Sequence, residues 1–342
     1  MKKIIIIGAG AMGSAFAVPC IENENDVTIV GTHLEDDLIK DIISNEYFHP
    51  GLKTKLPKKI KFVQFNELQP ILEKDVDLIV AGISSIGIEW FAKQISKNYK
   101  KKLPIVLLTK GLSIVDNKLT TLSDKIKNIL EKNGHSEINI SAVKGPCLAA
   151  GLANKMRTGT VIANKDLKQC QSLKNMISTD YYSMEISEDV PGVELSGAIK
   201  NIYSMLIGAS EGLSNSKASK EIQSKYFLNT AASLIHRSIS EMVEFILHYG
   251  GKSETVYGLA GLGDLYVSAI GGRNSLMGKY LGQGFLYKEA KEQFMKDVTV
   301  EGAQLALEIG PKILEDLSSK NFPLLFNMLN TICENKKLEI NW

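Results

Sequence analysis

The amino-acid sequence predicts an α/β chain, a doubly wound parallel sheet followed by an all-helical domain, on three observations. Four consecutive isoleucines, Ile4 to Ile7, run into Gly8-Ala-Gly-Ala-Met-Gly13. Short apolar stretches then alternate with helical ones as far as Ile186. From Val193 the pattern turns long and helical, with Leu195, Ile199, Ile202, Leu206 and Ala209 at helical spacing.

The isoleucines read as a strand buried on both faces, because β-branched side chains pack well on a pleated surface. Gly8, Gly10 and Gly13 give G-x-G-x-x-G where strand should become helix. The first glycine permits the tight turn, the second lets the backbone approach a pyrophosphate, and the third allows close helix–strand packing. A helix over Ser14 to Ile21 would aim its N-terminal N–H groups at the phosphates. Taken alone the pattern is weak, since glycine-rich turns are common; in this setting it predicts a Rossmann-type dinucleotide site. The second strand, Asp26 to Gly31, completes a βαβ unit. Thr32 and His33 follow it where an acid often bonds the ribose 2′-OH, with Glu35, Asp36 and Asp37 close behind. No Arg stands ready for a 2′-phosphate, so NAD and NADP both stay open.

Further strands are expected at Asp77–Ile83, Leu103–Thr109, Ile138–Val143, Thr160–Ala163 and Tyr181–Ile186, with Ser84 and Ser85 opening a helix. Ligands of such sheets sit beyond the carboxyl ends of the strands, a rim that takes in Lys110, Gly145 and Cys147. Asp189-Val-Pro-Gly192 reads as a turn-like boundary. The expected plan is a nucleotide domain over 1–190 and a helical domain over 191–342, with a cleft between them. Helices are expected at Val193–Ser210, Phe227–Tyr249, Ala303–Leu317 and Leu324–Cys333. Gly258–Asp264 and Gly271–Asn274 are too glycine-rich to be helical throughout.

Composition excludes more than it selects. With 342 residues, 44% apolar and 23% charged, the chain suits a two-domain soluble protein. Lys and Arg (40) nearly balance Asp and Glu (38), which argues for neither nucleic acid nor a membrane surface. No apolar run approaches the ~20 residues that span a bilayer. The apolar run after Met1-Lys-Lys is too short for a secretion signal, so a cytoplasmic location is expected. Cys20, Cys147, Cys170 and Cys333 read as free thiols. His33, His49, His135, His236 and His248 lack metal-ligand spacing and read as structural or solvated; no metal is expected.

Two groups stand out as chemistry. Lys200 falls in a closely packed helical segment with Gly197, Ala198, Ile199 and Ile202 around it. Most lysines are solvated, but one held there needs a carboxylate, and Asp264 on its glycine-rich loop is the candidate. Arg273-Asn274 after two glycines can grip a phosphate; the plain alternative is a surface turn.

Together, Gly8–Gly13, Thr109-Lys-Gly-Leu112, Gly145-Pro146, Glu194-Leu-Ser-Gly-Ala-Ile-Lys-Asn201, Gly258–Leu265, Gly271–Asn274 and Val300-Glu-Gly302 resemble the NAD(P)-dependent sn-glycerol-3-phosphate dehydrogenase family over nearly the whole chain. The resemblance implies interconversion of dihydroxyacetone phosphate and sn-glycerol 3-phosphate with NAD or NADP, supplying glycerolipid synthesis. It implies Lys200 as proton donor and acceptor, Asp264 as the acid orienting it, and Lys110 near both substrate and nicotinamide. Substrate contacts are implied at Gly145, Cys147, Asn201, Ser268, Arg273 and Asn274. Cofactor contacts are implied at Gly8, Gly10, Ala11, Met12, Gly13, Thr32, His33, Lys110, Ala149, Arg273, Thr299 and Glu301. The expected partner is a small phosphorylated substrate, and the helical domain could carry a homodimer contact. Three positions depart from the pattern: Cys147 stands where Ser or Thr is usual, Ala150-Gly151 replaces a Lys-Glu pair, and Gly272 replaces a serine. These leave open another small phosphorylated ketose or polyol as substrate. A non-catalytic nucleotide sensor is the rival from outside enzymology.

Overall fold

The computed structural model describes residues 1–100, 102–214 and 220–340, and side chains except those of 220–226. The chain forms two compact units, residues 1–110 with 121–190 and residues 111–120 with 191–342.

In the first unit the chain runs β1 (Lys3–Ile7), α1 (Ala11–Glu22), β2 (Asp26–Val30) and α2 (Asp36–Ser44). A small hairpin of β3 (Phe48–His49) and β4 (Thr54–Lys55) precedes β5 (Lys61–Val63), α3 (Leu68–Leu72), β6 (Leu78–Ala81), α4 (Ile88–Ile95) and β7 (Pro104–Leu107). A second hairpin, β8 (Leu112–Val115) and β9 (Lys118–Thr121), belongs to the other unit up to residue 120. The first unit resumes with α5 (Leu122–Lys132), β10 (Asn139–Lys144), α6 (Ala149–Ala153), β11 (Thr158–Ala163), α7 (Leu167–Ile177) and β12 (Tyr182–Ser187).

Eight of these strands make one sheet in the order β12-β11-β10-β7-β6-β1-β2-β5, parallel except for β10 against β11. The isoleucine run explains why β1 is central. Ile4 and Ile6 enter a core with Phe16 and Val18 of α1, while Ile5 and Ile7 enter a separate core with Phe91 and Ile95 of α4 and Ile126 of α5. One strand thus feeds both faces, as a doubly wound sheet requires.

The second unit is helical: α8 (Val190–Leu213), α9 (Lys220–His248), α10 (Ser253–Tyr257), α11 (Asp264–Gly271), α12 (Arg273–Gly282), α13 (Tyr287–Phe294), α14 (Glu301–Asp316) and α15 (Pro323–Cys333). One expectation needs correction and one needs narrowing. Asp189-Val-Pro-Gly192 is no turn, because α8 already starts at Val190; Pro191 lies in the first turn, where its missing N–H costs no hydrogen bond. Within Gly258–Asp264 only Gly258 is extended: Leu259–Gly263 forms a π turn leading into α11, so glycine content excluded less than expected. Glycine permits the wide turn, since a Cβ on Gly261 would lie 2.1 Å from the Val256 carbonyl oxygen.

Helix α8 is buried along most of its length, with glycine at its crossing with α12. A Cβ on Gly208 would meet the Ser275 oxygen at 2.3 Å, and one on Gly278 the Met205 oxygen at 1.8 Å. The two backbones therefore touch. On α9, Glu241 accepts the N–H groups of Leu324 (2.8 Å) and Leu325 (2.9 Å) at the start of α15, and the Tyr203 hydroxyl at 3.1 Å. Burial pushes its carboxyl above the usual range. Among the described residues no helix is long and apolar enough to cross a membrane.

Candidate active site

The predicted residues fall into two sets, one in each unit. In the first, the loop after β1 has the form that a pyrophosphate requires. Gly8 has φ +110°, and a Cβ on Gly13 would lie 2.4 Å from the Gly8 oxygen, so both must be glycine. Above Gly10 there is room: the nearest atom to a Cβ there is Glu35 Oε1 at 3.7 Å. The first turn of α1, from Ala11 through Met12 to Gly13, has no side-chain cap and no acidic residue, so its N–H groups suit an anion. These observations fit a bound dinucleotide.

Ala9 is held from both sides. Its N–H donates to Glu35 Oε2 (3.0 Å), which also accepts from Thr32 N–H (2.8 Å). Its carbonyl lies 2.9 Å from His49 Nε2 and accepts from the Ser14 hydroxyl at 3.0 Å. Since Leu52 N–H donates to His49 Nδ1 at 3.2 Å, the imidazole proton belongs on Nε2, aimed at Ala9. Sequence reasoning put Glu35 only in the neighbourhood and gave His49 no place beside the loop; a lone histidine 40 residues downstream of Ala9 carries no signal of it. The exposed ring of His33 leans on Phe65 and Trp90.

On the rim beyond β7 and β10, Lys110 Nζ donates to the Gly145 carbonyl at 3.3 Å. Gly145 has φ +142°, and a Cβ there would lie 3.0 Å from Thr160 Cα. Cys147 N–H returns to the Gly145 oxygen at 2.8 Å, and Ala149 opens α6. Lys144, fully buried at the end of β10, donates to the Leu107 carbonyl at 3.2 Å; sequence reasoning did not single it out.

In the second unit, Lys200 on α8 and Asp264 at the start of α11 form an ion pair of 2.8 Å, with each side chain 3% exposed. Lys200 Nζ also reaches the Asp264 carbonyl at 3.4 Å and the hydroxyl of Ser268, one turn along α11. The π turn before α11 brings that helix to start at Asp264. Next to it, Asn274 Nδ2 donates to Asn201 Oδ1 at 3.0 Å, and Asn274 Oδ1 accepts Gly302 N–H at 2.9 Å. These bonds tie α8, α12 and α14 together. Arg273 and Glu301, the first residues of α12 and α14, pair at the surface with side chains 54% and 44% exposed. Thr299 is exposed and precedes the α14 N-cap residue Val300. A buried ammonium held by a carboxylate, a hydroxyl and a carbonyl is equipped to give and take back a proton at a fixed point. Among the described residues no cluster of His, Cys, Asp and Glu could hold a metal ion.

The comparisons agree over both units. Residues 3–170 match the model for the N-terminal part of NAD-dependent glycerol-3-phosphate dehydrogenase, and residues 189–340 match its C-terminal part. The NADP(+)-dependent glycerol-3-phosphate dehydrogenase of Archaeoglobus fulgidus is 32% identical over 341 residues, covering 98% of this chain and 96% of the relative. The glycerol-3-phosphate dehydrogenase [NAD(P)+] of Mesoplasma florum is also 32% identical, over 96% and 93% of the two chains. In fold, the chain is similar to the glycerol-3-phosphate dehydrogenase structure from Plasmodium falciparum, with a TM-score of 0.82 at 20% identity over 100% and 97% of the two chains. The structure from Coxiella burnetii gives 0.79 at 24% identity over 98% and 96%. This chain belongs to the NAD-dependent glycerol-3-phosphate dehydrogenase family.

Proposed function

We propose that the chain catalyses the reversible reduction of dihydroxyacetone phosphate to sn-glycerol 3-phosphate with NADH or NADPH, supplying glycerol 3-phosphate for glycerolipids. The observation that carries this reading is the buried Lys200–Asp264 pair in a chain of this family. When bound, the nicotinamide cofactor supplies the hydride for the C2 carbonyl carbon. Lys200, as ammonium, gives its Nζ proton to the developing alkoxide oxygen and recovers it in the reverse direction. Asp264 and Ser268 hold that ammonium in place. In this reading Lys110 stands with the cofactor residues of the first unit, beside the nicotinamide. Arg273 and Asn274 take the phosphate, so that binding energy remote from C2 fixes the carbonyl's orientation. In this reading the first unit holds the cofactor and the second the substrate.

Free thiols and balanced charge suit a cytoplasmic enzyme that works without nucleic acid. Exposed Leu228 and Leu247 on α9 would suit a homodimer contact. A neighbouring reading, the same chemistry on another small phosphorylated ketose, is favoured by Cys147, a poorer hydrogen-bond donor than the usual serine or threonine. Oxidation of NADH and of NADPH is to be measured side by side with dihydroxyacetone phosphate and a panel of longer keto-phosphates. Strong preference for a longer substrate would overturn the glycerol assignment. Tight NADH binding with no oxidation by any of them would make the chain a sensor.

A further inference from the structure

The hairpin of β3 and β4 sets a buried imidazole against the glycine loop. His49 on β3 is 2% exposed, and its Nε2 lies 2.9 Å from the carbonyl oxygen of Ala9, the residue between Gly8 and Gly10. Leu52 N–H meets the ring from the other side, 3.2 Å from Nδ1. Leu52 and Leu56, on either side of β4, are buried in the core that holds Phe16 and Val18 of α1. The hairpin is thus seated in the same core as the helix that follows the loop, and the imidazole is fixed with it.

Peptide planarity turns this contact into an orientation. The Ala9 carbonyl and the Gly10 N–H belong to one trans peptide, so they share a plane and point in opposite directions. A donor at the carbonyl therefore aims Gly10 N–H away from His49. Gly10 is the N-cap residue of α1, where backbone donors have no partner within the helix and suit an anion. Glycine on both sides leaves this peptide little restraint of its own. Three groups supply it: Glu35 at the Ala9 N–H, and Ser14 and His49 at the carbonyl. Ser14 lies on α1 and moves with the loop, whereas His49 arrives from a separate element 40 residues on. A loop held in one orientation before binding loses less freedom when an anion arrives, which raises affinity.

We propose that His49 is a positioning residue for the cofactor, its Nε2–H bracing the Ala9–Gly10 peptide in the orientation that receives the pyrophosphate; this rests on the dinucleotide reading of the glycine loop. Two variants separate the brace from mere packing. His49→Asn is too short to reach Ala9, whereas His49→Gln carries an amide donor out to the place of Nε2. Leu52 N–H also bonds the residue-49 carbonyl at 3.1 Å, so the turn survives either change. Titrations of NADH and NADPH, followed by their own fluorescence, are run beside thermal melts and steady-state assays. His49→Asn raises the Kd for the cofactor about 2- to 12-fold, the weight of one neutral hydrogen bond. His49→Gln restores most of that affinity, both variants melt close to the parent, and the KM for dihydroxyacetone phosphate at saturating cofactor is unchanged. An unchanged Kd in His49→Asn, an equal loss in both variants, or a loss that tracks melting temperature would overturn the brace. Failure of the parent to bind either cofactor would overturn the dinucleotide reading and the brace together. Cofactor binding that follows the expected order without oxidation of NADH or NADPH by dihydroxyacetone phosphate would support the brace while sinking the proposed reaction.

Discussion

Lys200 Nζ lies 2.8 Å from Asp264 Oδ1, and neither side chain is more than 3% exposed. Such a pair contributes little net stability when intact but is expensive to break, by ~3–5 kcal/mol, because the remaining charge is buried alone. Two effects are therefore separable. Lys200→Met is expected to lower turnover by ~10²–10⁴ and to lower stability as well. The double variant Lys200→Met/Asp264→Leu should recover much of the stability and none of the turnover. Denaturant melts beside NADH-oxidation assays check both; recovery of turnover in the double variant would contradict the proton-transfer role.

Arg273 pairs with Glu301 at the surface, where an ion pair adds ~1 kcal/mol or less to stability. Arg273→Lys keeps the charge and loses the fork that fits a phosphate. The expected outcome is a KM for dihydroxyacetone phosphate raised ~10-fold or more, at the level of a lost charge-assisted hydrogen bond. The melting temperature should stay close to that of the parent. A lowered kcat at unchanged KM would place the arginine elsewhere in the mechanism.

Glu35 puts a carboxylate on the glycine loop, and no lysine or arginine forms a salt bridge with it among the described residues. Its charge should oppose a ribose 2′-phosphate, whichever cofactor the parent prefers. Glu35→Gln keeps a carbonyl acceptor for Ala9 and Thr32 and removes the charge. The ratio of kcat/KM for NADPH to that for NADH is expected to rise ~5-fold, equivalent to about 1 kcal/mol of relieved repulsion. A fall in that ratio would show that the carboxylate does not face the 2′ position.

Gly278 offers a test of packing. A methyl group there would sit 1.8 Å from the Met205 oxygen, so Gly278→Ala must part α8 from α12 and should cost ~1–3 kcal/mol or more. Gly271→Ala, with nothing within 4 Å of its new carbon, is the control and should change stability by ~0.5 kcal/mol or less. Thermal melts of the two variants decide the matter.

Glu241 gives stability a pH dependence of known sign. Its folded-state pKa is raised above the ordinary carboxylate value by burial, so the unfolded chain releases the proton first as pH rises. Its contribution to stability therefore falls as pH rises from the ordinary glutamate value through the raised one. Comparing the parent with Glu241→Gln removes the background of other titrating groups. The difference in unfolding free energy, parent minus variant, should shrink over that window; a difference that grows would reverse the assignment.

The sheet was legible because β-branched runs and a glycine loop leave strong local marks. Strand β5 was not, since only Phe62 of Lys61–Val63 is buried and three residues on a sheet edge show no pattern. The hairpin of β8 and β9 escaped for a different reason: its strands are four residues each, too short for a period to show, and its core contacts, Leu112 and Leu119, belong to the second unit. Lys200 was noticeable through the small, apolar residues around it. The π turn was not, because glycine content argues against α-helix and says nothing about a wider coil. Nor could spacing bring His49 to Ala9, since that contact depends on the small hairpin of β3 and β4.

The β8–β9 hairpin has a consequence for how the chain is made. Its packing partner α14 begins at Glu301, about 180 residues after Thr120. At ~5–20 residues per second a ribosome needs roughly 9–36 s to cover that distance. Through that interval Leu112 on β8 waits without the helix that will pack on that strand, although the segments on either side of the hairpin can already pair into the sheet. Birth order and spatial order are therefore at odds here. A fragment beginning at residue 191 would be born without the hairpin and would have a gap in its core.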